Sequence, residues 1–203
     1  HDGVPVKDYY VDNNTVHETV KVLLYGRVVP GKGQLFYVQA AENILRNTSK
    51  PCTFYFAGKV EDEEYFNSCM QSIRQSGQEN SIKYLGQISD IQNLLRDTDI
   101  VCVCSTKEGF GRVTVESMLG KCLVVGAASG ATTELIQDGV NGILYQPDDE
   151  ADFCKKLTAC IEQFDKYAGV VENGQKYALS HFTDEKNTEG ILLVYKNIAE
   201  RIR

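Results

Sequence analysis

Residues 100 to 125 read IVCVCSTKEGFGRVTVESMLGKCLVV, and this stretch decides the fold of the chain. It begins with the apolar run Ile100–Cys104 and ends with the apolar run Leu123–Val125, with a helix pattern over Arg112–Gly120 between them. Two apolar strands separated by one helix predict a parallel β-α-β unit, because a parallel crossover connection needs about a dozen residues or more.

The same alternation continues on both sides of this unit. Further strands are predicted at four apolar runs, which are Val22–Tyr25, Thr53–Ala57, Ile82–Leu85 and Ile143–Tyr145. Helices are predicted at Gln34–Arg46, Glu63–Gln75, Ser89–Asp97, Thr132–Gln137, Glu150–Phe164 and Asp184–Ile202, and the third opens with a Ser89 to Gln92 capping box. Strands that are apolar throughout predict an α/β fold: a Rossmann-like, doubly wound parallel sheet with helices on both faces and a helical C-terminal tail.

Size and charge limit the function further. The 203 residues suit one domain, in which the polar segment 1–16 is a lead-in or linker and residues 17–203 form the folded unit. The formal net charge is −7, which argues against nucleic acid as a partner and against a generally basic surface. Any anionic ligand must therefore be held by a few placed cations and by backbone N–H groups.

The cysteines and the hydropathy favour a soluble, cytoplasmic domain. None of the seven cysteines belongs to a C-x-x-C pair, and several lie inside apolar runs, which is typical of reduced core residues. No apolar run approaches the roughly 20 residues that cross a bilayer, and the first residues show no secretion signal pattern.

The first candidate site is the loop GRVVPGKG at residues 26–33, between a predicted strand and a predicted helix. Ligands of open parallel sheets bind outside the carboxyl ends of the strands, so such loops are where a site is expected. Arg27 and Lys32 could straddle a diphosphate at this helix N-terminus, where backbone N–H groups and the helix dipole also favour an anion. A Gly-rich turn whose cations are solvated is equally compatible with this sequence.

The second candidate site is the loop from Ser105 to Gly111 together with the first turn of the following helix. Gly109 and Gly111 permit a close approach of the backbone to a ligand, and the N–H groups near Val113 and Thr114 would face a phosphate.

Two carboxylates frame this second loop. Glu108 and Glu116 could each accept hydrogen bonds from vicinal hydroxyls, so a ligand with phosphate between two sugars would use both. The alternative is that Glu116 complements the first turn of its helix and that Glu108 is a solvated loop residue.

Other chemistries fit the sequence poorly. Gly109-x-Gly111 lacks the third glycine of a dinucleotide fingerprint, because position 114 is Thr, and residues 31–33 lack the Lys-Ser/Thr ending of a Walker loop. The three histidines, His1, His17 and His181, are scattered, and Asp97-Thr98-Asp99 precedes a strand at its amino end, away from the expected crevice. No metal and no cofactor are therefore expected.

The second loop carries a resemblance to a known family. Glu108-Gly109-Phe110-Gly111 followed by Glu116 is an E-x7-E pattern, which resembles the retaining glycosyltransferases of family 4 (glycosyl transferases group 1) with the GT-B fold. Further matching elements are Gly26-Arg27 with Lys32-Gly33, Ala57-Gly58, Tyr84-Leu85-Gly86, Gly120 to Val124, Gly130-(x3)-Glu134, Asn141-Gly142 and His181-Phe182. The resemblance covers roughly residues 17 to 200.

The resemblance implies a role for each matching residue. Arg27 and Lys32 would contact the diphosphate of a nucleotide-diphosphate sugar and stabilise the leaving group in place of a metal, and Glu108 would face the donor hexose. Glu116 would hold the ribose hydroxyls. The other donor-binding residues would be Gly26, Gly109, Phe110, Gly111, Val113 and Thr114, with the base near Tyr84 and Ile88.

The resemblance also has limits. Ser117 and Leu123 stand where the family usually has Ala and Pro, and the chain matches only the C-terminal, donor-binding half of a GT-B enzyme. The acceptor, such as a growing polysaccharide or a lipid-linked glycan, would be bound mainly by the absent N-terminal domain, through which the enzyme could also associate with a membrane. A GT-B nucleotide-sugar 2-epimerase and a non-catalytic nucleotide-sugar-binding module remain as alternatives.

Overall fold

A six-stranded parallel sheet forms the centre of the molecule. The computed structural model describes residues 3–15, 18–105 and 107–201. In chain order the strands are β1 (Val20–Tyr25), β2 (Cys52–Ala57), β3 (Ile82–Tyr84), β4 (Ile100–Val103), β5 (Leu123–Ala127) and β6 (Ile143–Tyr145). They are arranged in the order β3-β2-β1-β4-β5-β6, and every pairing is parallel.

Eight α-helices surround this sheet in the described part of the chain. They are α1 (Gln34–Asn47), α2 (Glu63–Ser76), α3 (Ile91–Arg96), α4 (Arg112–Leu119), α5 (Thr132–Leu135), α6 (Glu150–Glu162), α7 (Ala168–His181) and α8 (Asp184–Arg201). Short 3-10 turns lie at Val6–Asp8, Pro30–Lys32 and Phe164–Tyr167. The predicted Rossmann-like α/β fold is confirmed.

Side chains of β1 alternate between two cores, one on each face of the sheet. Val22 and Leu24 pack with α1, α2 and α6, whereas Leu23 and Tyr25 pack with α3 on the opposite face. A separate cluster joins β4 and β5 to α4 and α7. Burial on both faces explains why the strands are apolar throughout.

The neighbouring strands β1 and β4 form the switch point of the sheet. Val22 lies opposite Ile100 and Leu23 opposite Val101, although 74 residues and two further strands separate β1 from β4 in the sequence. The chain leaves β1 for α1 on one face and leaves β4 for α4 on the other. The two loops therefore lie at the carboxyl edge, on either side of the crevice that is expected at a switch point.

The predicted capping box of the third helix is wrong. The carboxylate of Asp90, not the hydroxyl of Ser89, accepts the backbone N–H of Asn93 at 2.9 Å, and the helix begins at Ile91. A second bond, from Asn93 Nδ2 to the other Asp90 oxygen, adds to the preference for the aspartate. The predicted last helix agrees with α8, except that Ile202 lies outside the described residues.

The N-terminal segment 3–15 packs on the body of the domain. Val4 and Val11 are fully buried, and the Val4 N–H donates to the Phe182 carbonyl at 2.8 Å. Gln175 Nε2 donates to the carbonyls of Val11 and Leu119, both at 2.8 Å. The expected lead-in is thereby fixed against α4 and α7. Its expected end at residues 16 and 17 lies outside the described residues.

The last helix differs from the rest of the surface. Of the six large apolar side chains that are exposed in the described residues, five lie on α8, namely Ile191, Leu192, Leu193, Tyr195 and Ile198. None of the described helices is both long enough and apolar enough to span a membrane. All seven cysteines are free thiols, and six of them are buried.

Candidate functional site

Close backbone contacts shape the first loop. A Cβ atom on Gly58, which has φ +143°, would lie 1.8 Å from the Gly26 carbonyl oxygen, so only glycine permits this approach between the ends of β1 and β2. A Cβ atom on Gly33, with φ +76°, would lie 2.6 Å from the Cys104 carbonyl oxygen. These two glycines hold the loop against the ends of β2 and β4.

One N–H group at the N-terminus of α1 is already bonded within the protein. The Leu35 N–H donates to the Tyr65 hydroxyl of α2 at 2.8 Å. Burial raises the pKa of Tyr65 to about 12, which keeps the phenol neutral. This N–H group is therefore satisfied without a ligand.

Lys32 and Glu108 bring the two predicted loops together. Lys32 Nζ lies 2.8 Å from Glu108 Oε2 and 3.1 Å from Oε1, with side chains 26% and 10% exposed. The Ser105 hydroxyl donates to Glu108 Oε2 at 2.5 Å. The alternative in which Glu108 is a solvated loop residue is wrong, because its carboxylate is nearly buried and has two donors.

Arg27 stands apart from this pair. Its NH1 lies 2.9 Å from Glu61 Oε2, and its side chain is 65% exposed. Exposed ion pairs of this kind contribute only about 0–1 kcal/mol, so the guanidinium can exchange Glu61 for another anion at little cost. The Arg27 backbone is fixed, since its carbonyl accepts a 2.8 Å bond from the buried side chain of Gln34.

The N-terminus of α4 has no side-chain cap. The residue before the helix is Gly111, with φ +83°, and a Cβ atom there would lie 2.7 Å from Leu135 Cδ1. The first N–H groups of a helix have no intrahelical acceptor, and the helix dipole adds a partial positive charge to them. In the first turn, Thr114 Oγ1 is buried and has no hydrogen-bond partner within the described residues. This end is suited to an anion.

The loop after β5 packs against the second loop at the Glu108 carbonyl. A Cβ atom on Gly130 would lie 2.7 Å from the Glu108 carbonyl oxygen, which also accepts the Ala131 N–H at 3.1 Å. Phe110 packs on Phe182, with ring centroids 6.1 Å apart.

Glu116 projects from the second turn of α4 and is buried. Its Oε2 accepts a 3.1 Å bond from the Tyr25 hydroxyl, and Arg112 Nε lies 3.4 Å from its Oε1. Burial first, and the nearby charge of Glu116 second, raise the pKa of the Tyr9 phenol, which lies close to both Arg112 and Glu116. Burial first, and the charge of Glu116 second, raise the pKa of Tyr25 well above its usual value, so this phenol stays a donor.

The residues predicted near the base pack on opposite faces of the sheet. Ile88 packs against the apolar cluster that includes Leu23 and Tyr25, as Val113 does. Tyr84 instead lies 5.0 Å, centroid to centroid, from Phe56, and its hydroxyl donates to the Gly58 carbonyl at 2.6 Å. Ile88 therefore shares a cluster with a residue of α4, whereas Tyr84 belongs to the ends of β2 and β3.

Three residues near this site, Arg112, Tyr25 and Tyr9, were not predicted from the sequence. The pairing of Arg112 with Glu116 follows from i,i+4 spacing and could have been predicted. Tyr25 gave a weaker signal, as a polar aromatic residue at the last position of an apolar strand. Nothing in the local sequence indicated that Tyr9, in the supposed linker, would reach α4.

Metal ligands do not cluster in the described residues. No group of three or more His, Cys, Asp and Glu side chains that could hold a metal ion occurs among them. Asp97 pairs with Lys21 Nζ at 2.7 Å and Asp99 accepts the Lys21 N–H at 2.8 Å, both at the amino edge of the sheet. His1 and His17 lie outside the described residues.

A Rossmann-like domain whose two loops meet at the switch point of the sheet is typical of α/β proteins that bind a ligand there. Comparison with known proteins assigns the chain to one family of this class. The model of the family described as "Glycosyl transferases group 1" matches residues 8–177, and the chain belongs to this family. Curated relatives include an alpha-1,4-N-acetyl-D-galactosaminyltransferase of Campylobacter jejuni, 24% identical over 169 residues, which cover 81% of this chain and 46% of the relative. The chain spans about half the length of the curated relatives that it matches.

Solved structures agree with this assignment. The HepE protein of Anabaena, solved with UDP and glucose, is 28% identical with a TM-score of 0.85, covering 96% of this chain and 55% of that one. The C-terminal domain of the group 1 glycosyl transferase LpcC of Francisella tularensis is 25% identical with a TM-score of 0.79, covering 89% of this chain and 99% of that one. The chain therefore corresponds to the C-terminal domain of a GT-B glycosyltransferase.

Proposed function

We propose that this chain binds a nucleotide-diphosphate sugar in the crevice between its first and second loops. In the complete enzyme, the bound hexose would be transferred to an acceptor held mainly by an N-terminal domain. Support comes from the family and from the neighbour HepE, which was solved with UDP and with UDP-glucose. Retention of the anomeric configuration rests on the E-x7-E pattern alone.

The observation that carries this proposal is the position of Lys32. Its ammonium group bonds Glu108 beside the N-terminus of α4, which has no side-chain cap and whose Thr114 N–H donates to the Gly111 carbonyl at 2.9 Å, so a cation and a helix N-terminus lie at one site. An ammonium group has three donors, and the third remains for a phosphate oxygen while the other two hold Glu108. A diphosphate at this point would be bound by both elements at once.

The remaining roles follow from the surroundings of each residue. Arg27 would exchange Glu61 for a phosphate oxygen, and Glu116 would accept the ribose hydroxyls. The backbone from Gly109 to Thr114 would line the sugar and the phosphates. The base would lie near Ile88 and Val113, which pack against the same apolar cluster.

The chemistry required of the protein is stabilisation of a leaving group. When the bond between the anomeric carbon and the phosphate oxygen breaks, negative charge grows on the departing nucleoside diphosphate, and positive charge grows on the hexose. Lys32 and Arg27 would stabilise the negative charge on the nucleoside diphosphate, and the Glu108 carboxylate would stabilise the positive charge on the hexose. Because charged side chains and the end of α4 provide these interactions, we propose that the reaction needs no divalent cation.

A calorimetric titration of the chain with UDP, GDP and ADP, and with the matching nucleotide sugars, tests the proposal. We expect binding of at least one nucleoside diphosphate, and a large loss of affinity in Lys32→Ala. The matched control is Lys21→Ala, because Lys21 also pairs with a carboxylate at 2.7 Å and is 24% exposed, but lies at the amino edge. Absence of binding to all three nucleotides, or equal losses in both variants, would refute the proposal.

The two alternative functions, an epimerase and a non-catalytic binding module, predict different experimental results. Turnover of a nucleotide sugar to its 2-epimer without an acceptor would indicate an epimerase. A full-length protein that binds a nucleotide sugar but transfers the sugar to no acceptor would indicate a non-catalytic binding module. Sugar transfer by residues 1–203 alone would contradict the expected need for a second domain.

A further inference from the structure

The Tyr25 side chain ends β1 with its hydroxyl turned toward α4. The hydroxyl lies 3.1 Å from Glu116 Oε2, 3.4 Å from Ser117 Oγ and 3.4 Å from the Val113 carbonyl oxygen. These three polar neighbours all belong to α4, although 91 residues separate Tyr25 from Glu116. The bond therefore connects the strand of the first loop to the helix of the second.

Packing alone does not require a hydroxyl at this position. Tyr25 lies in the apolar cluster of Leu23, Ala57, Leu95 and Val101, where a phenylalanine ring would fill the same space. A buried phenol needs a hydrogen-bond partner, and a bond to a carboxylate is stronger than a neutral one. Burial first, and the charge of Glu116 second, raise the pKa of the Tyr25 phenol, which keeps it protonated and able to donate this bond.

The other donor to Glu116 is held less firmly. Arg112 is 51% exposed, and its Nε lies 3.4 Å from Oε1 of Glu116. The terminal torsion of a glutamate side chain is broad, so a carboxylate without a fixed donor can rotate. Of these two donors, Tyr25 is the buried one, and it ends a central strand that is paired on both sides.

We propose that Tyr25 is a positioning residue of the nucleotide site. Its hydroxyl donates to Oε2 of Glu116 and so fixes the orientation of the carboxylate. In this orientation the lone pairs that remain on the two carboxylate oxygens accept hydrogen bonds from the two ribose hydroxyls. This inference rests on the proposed role of Glu116. Because Tyr25 directly precedes Gly26 and Arg27, the same strand end would set both the ribose contact and the start of the diphosphate loop.

The test compares Tyr25→Phe with a matched control, Tyr37→Phe. Tyr37 is also fully buried, but its hydroxyl donates to the backbone carbonyls of Val22 at 2.9 Å and Tyr55 at 3.1 Å. UDP and 2′,3′-dideoxy-UDP are titrated into each protein by calorimetry, and thermal unfolding is recorded for each.

We expect Tyr25→Phe to weaken UDP binding about 5- to 10-fold, the size of one hydrogen bond, and to leave dideoxy-UDP binding unchanged. Tyr37→Phe should lower the unfolding temperature and leave the affinity ratio of the two ligands as in the wild type. An equal loss for both ligands, or no loss, in Tyr25→Phe would overturn the positioning role.

A double-mutant cycle tests the same coupling in a second way. Glu116→Gln removes the charge that the phenol stabilises, so Tyr25→Phe in that background should change UDP affinity no further. An additive loss would overturn the proposal. Failure of the proposed function has a different signature: a wild-type chain that binds neither ligand, or binds both equally.

Discussion

Helices α4 and α6 begin in opposite ways. The α6 helix starts after Asp149, whose carboxylate accepts the Asp152 N–H at 2.9 Å, and its first turn is acidic. The α4 helix starts after Gly111, which offers no side chain, and its first residue is Arg112. An aspartate satisfies the free N–H groups of its own helix and repels other anions, whereas a glycine leaves both the groups and the charge available.

The difference follows the position of each helix in the sheet. Asp-capped α6 follows the edge strand β6, and α2 is capped by Asp62 in the same way. The uncapped α4 follows β4, at the switch point beside β1. Even α1, which also begins after a glycine, is covered by the Tyr65 hydroxyl. The N-termini of α2 and α6 are thus capped and one N–H group of α1 is bonded, whereas the end of α4 has no side-chain cap, as is also the case for α5 and α7.

Closing the open end should have the largest effect. In Gly111→Asp, we expect UDP binding to be lost, because the new carboxylate would occupy the place of the anion. The free energy of unfolding should also fall by about 1–3 kcal/mol, from the strained φ and the contact with Leu135. Calorimetry and urea unfolding measure the two effects.

The control for strain is Gly77→Asp. Gly77 has φ +70° at the end of α2, and a Cβ atom there meets nothing within 4 Å. That variant should be less stable than the wild type and bind UDP normally. A folded Gly111→Asp protein with wild-type affinity would break the comparison between open and closed helix ends.

The second effect separates the two carboxylates beside the open end. Glu116→Ala should weaken UDP binding about 10- to 150-fold, because it removes charged hydrogen bonds to the ribose. Glu108→Ala should spare UDP binding but strongly lower sugar transfer in the full-length enzyme. Circular dichroism must show that both variants are folded. Equal losses of UDP affinity, or a larger loss in Glu108→Ala, would reverse the assigned roles.

The strands were predictable because apolar runs dictate them. All six appear where runs such as Val22–Tyr25 and Ile143–Tyr145 predicted them, since a strand buried on both faces has a sequence signature. Helix starts were harder to predict. Ser89 and Asp90 are adjacent and both can cap, and only the side-chain geometry decides for Asp90.

The candidate site was predictable at the level of loops and not of contacts. The meeting of Lys32 and Glu108 follows from loops at one edge of a parallel sheet. The bond of the Leu35 N–H in α1 to the Tyr65 hydroxyl, and that of the Tyr25 hydroxyl to Glu116, depend on how distant segments pack, which no local pattern encodes. Such contacts required the three-dimensional structure.

Opening a closed helix end should have a smaller effect. Asp149→Ala removes the cap of α6, and we expect the free energy of unfolding to fall by about 1 kcal/mol. UDP affinity should stay at the wild-type value, because this end lies at the edge strand. If Asp149→Ala changed UDP affinity as much as Glu116→Ala, position in the sheet would not explain the comparison.

The smallest expected effect is that of chelation. If Lys32, Arg27 and the uncapped end of α4 together neutralise the diphosphate, then EDTA should leave UDP affinity unchanged, and added magnesium or manganese should not raise it. Sodium chloride should weaken binding instead, because it screens the charges that perform this task. Calorimetric titrations with EDTA, with each metal and with added salt measure the three conditions. Loss of binding in EDTA with recovery in magnesium would show that a metal, rather than the open end of α4, supplies the positive charge.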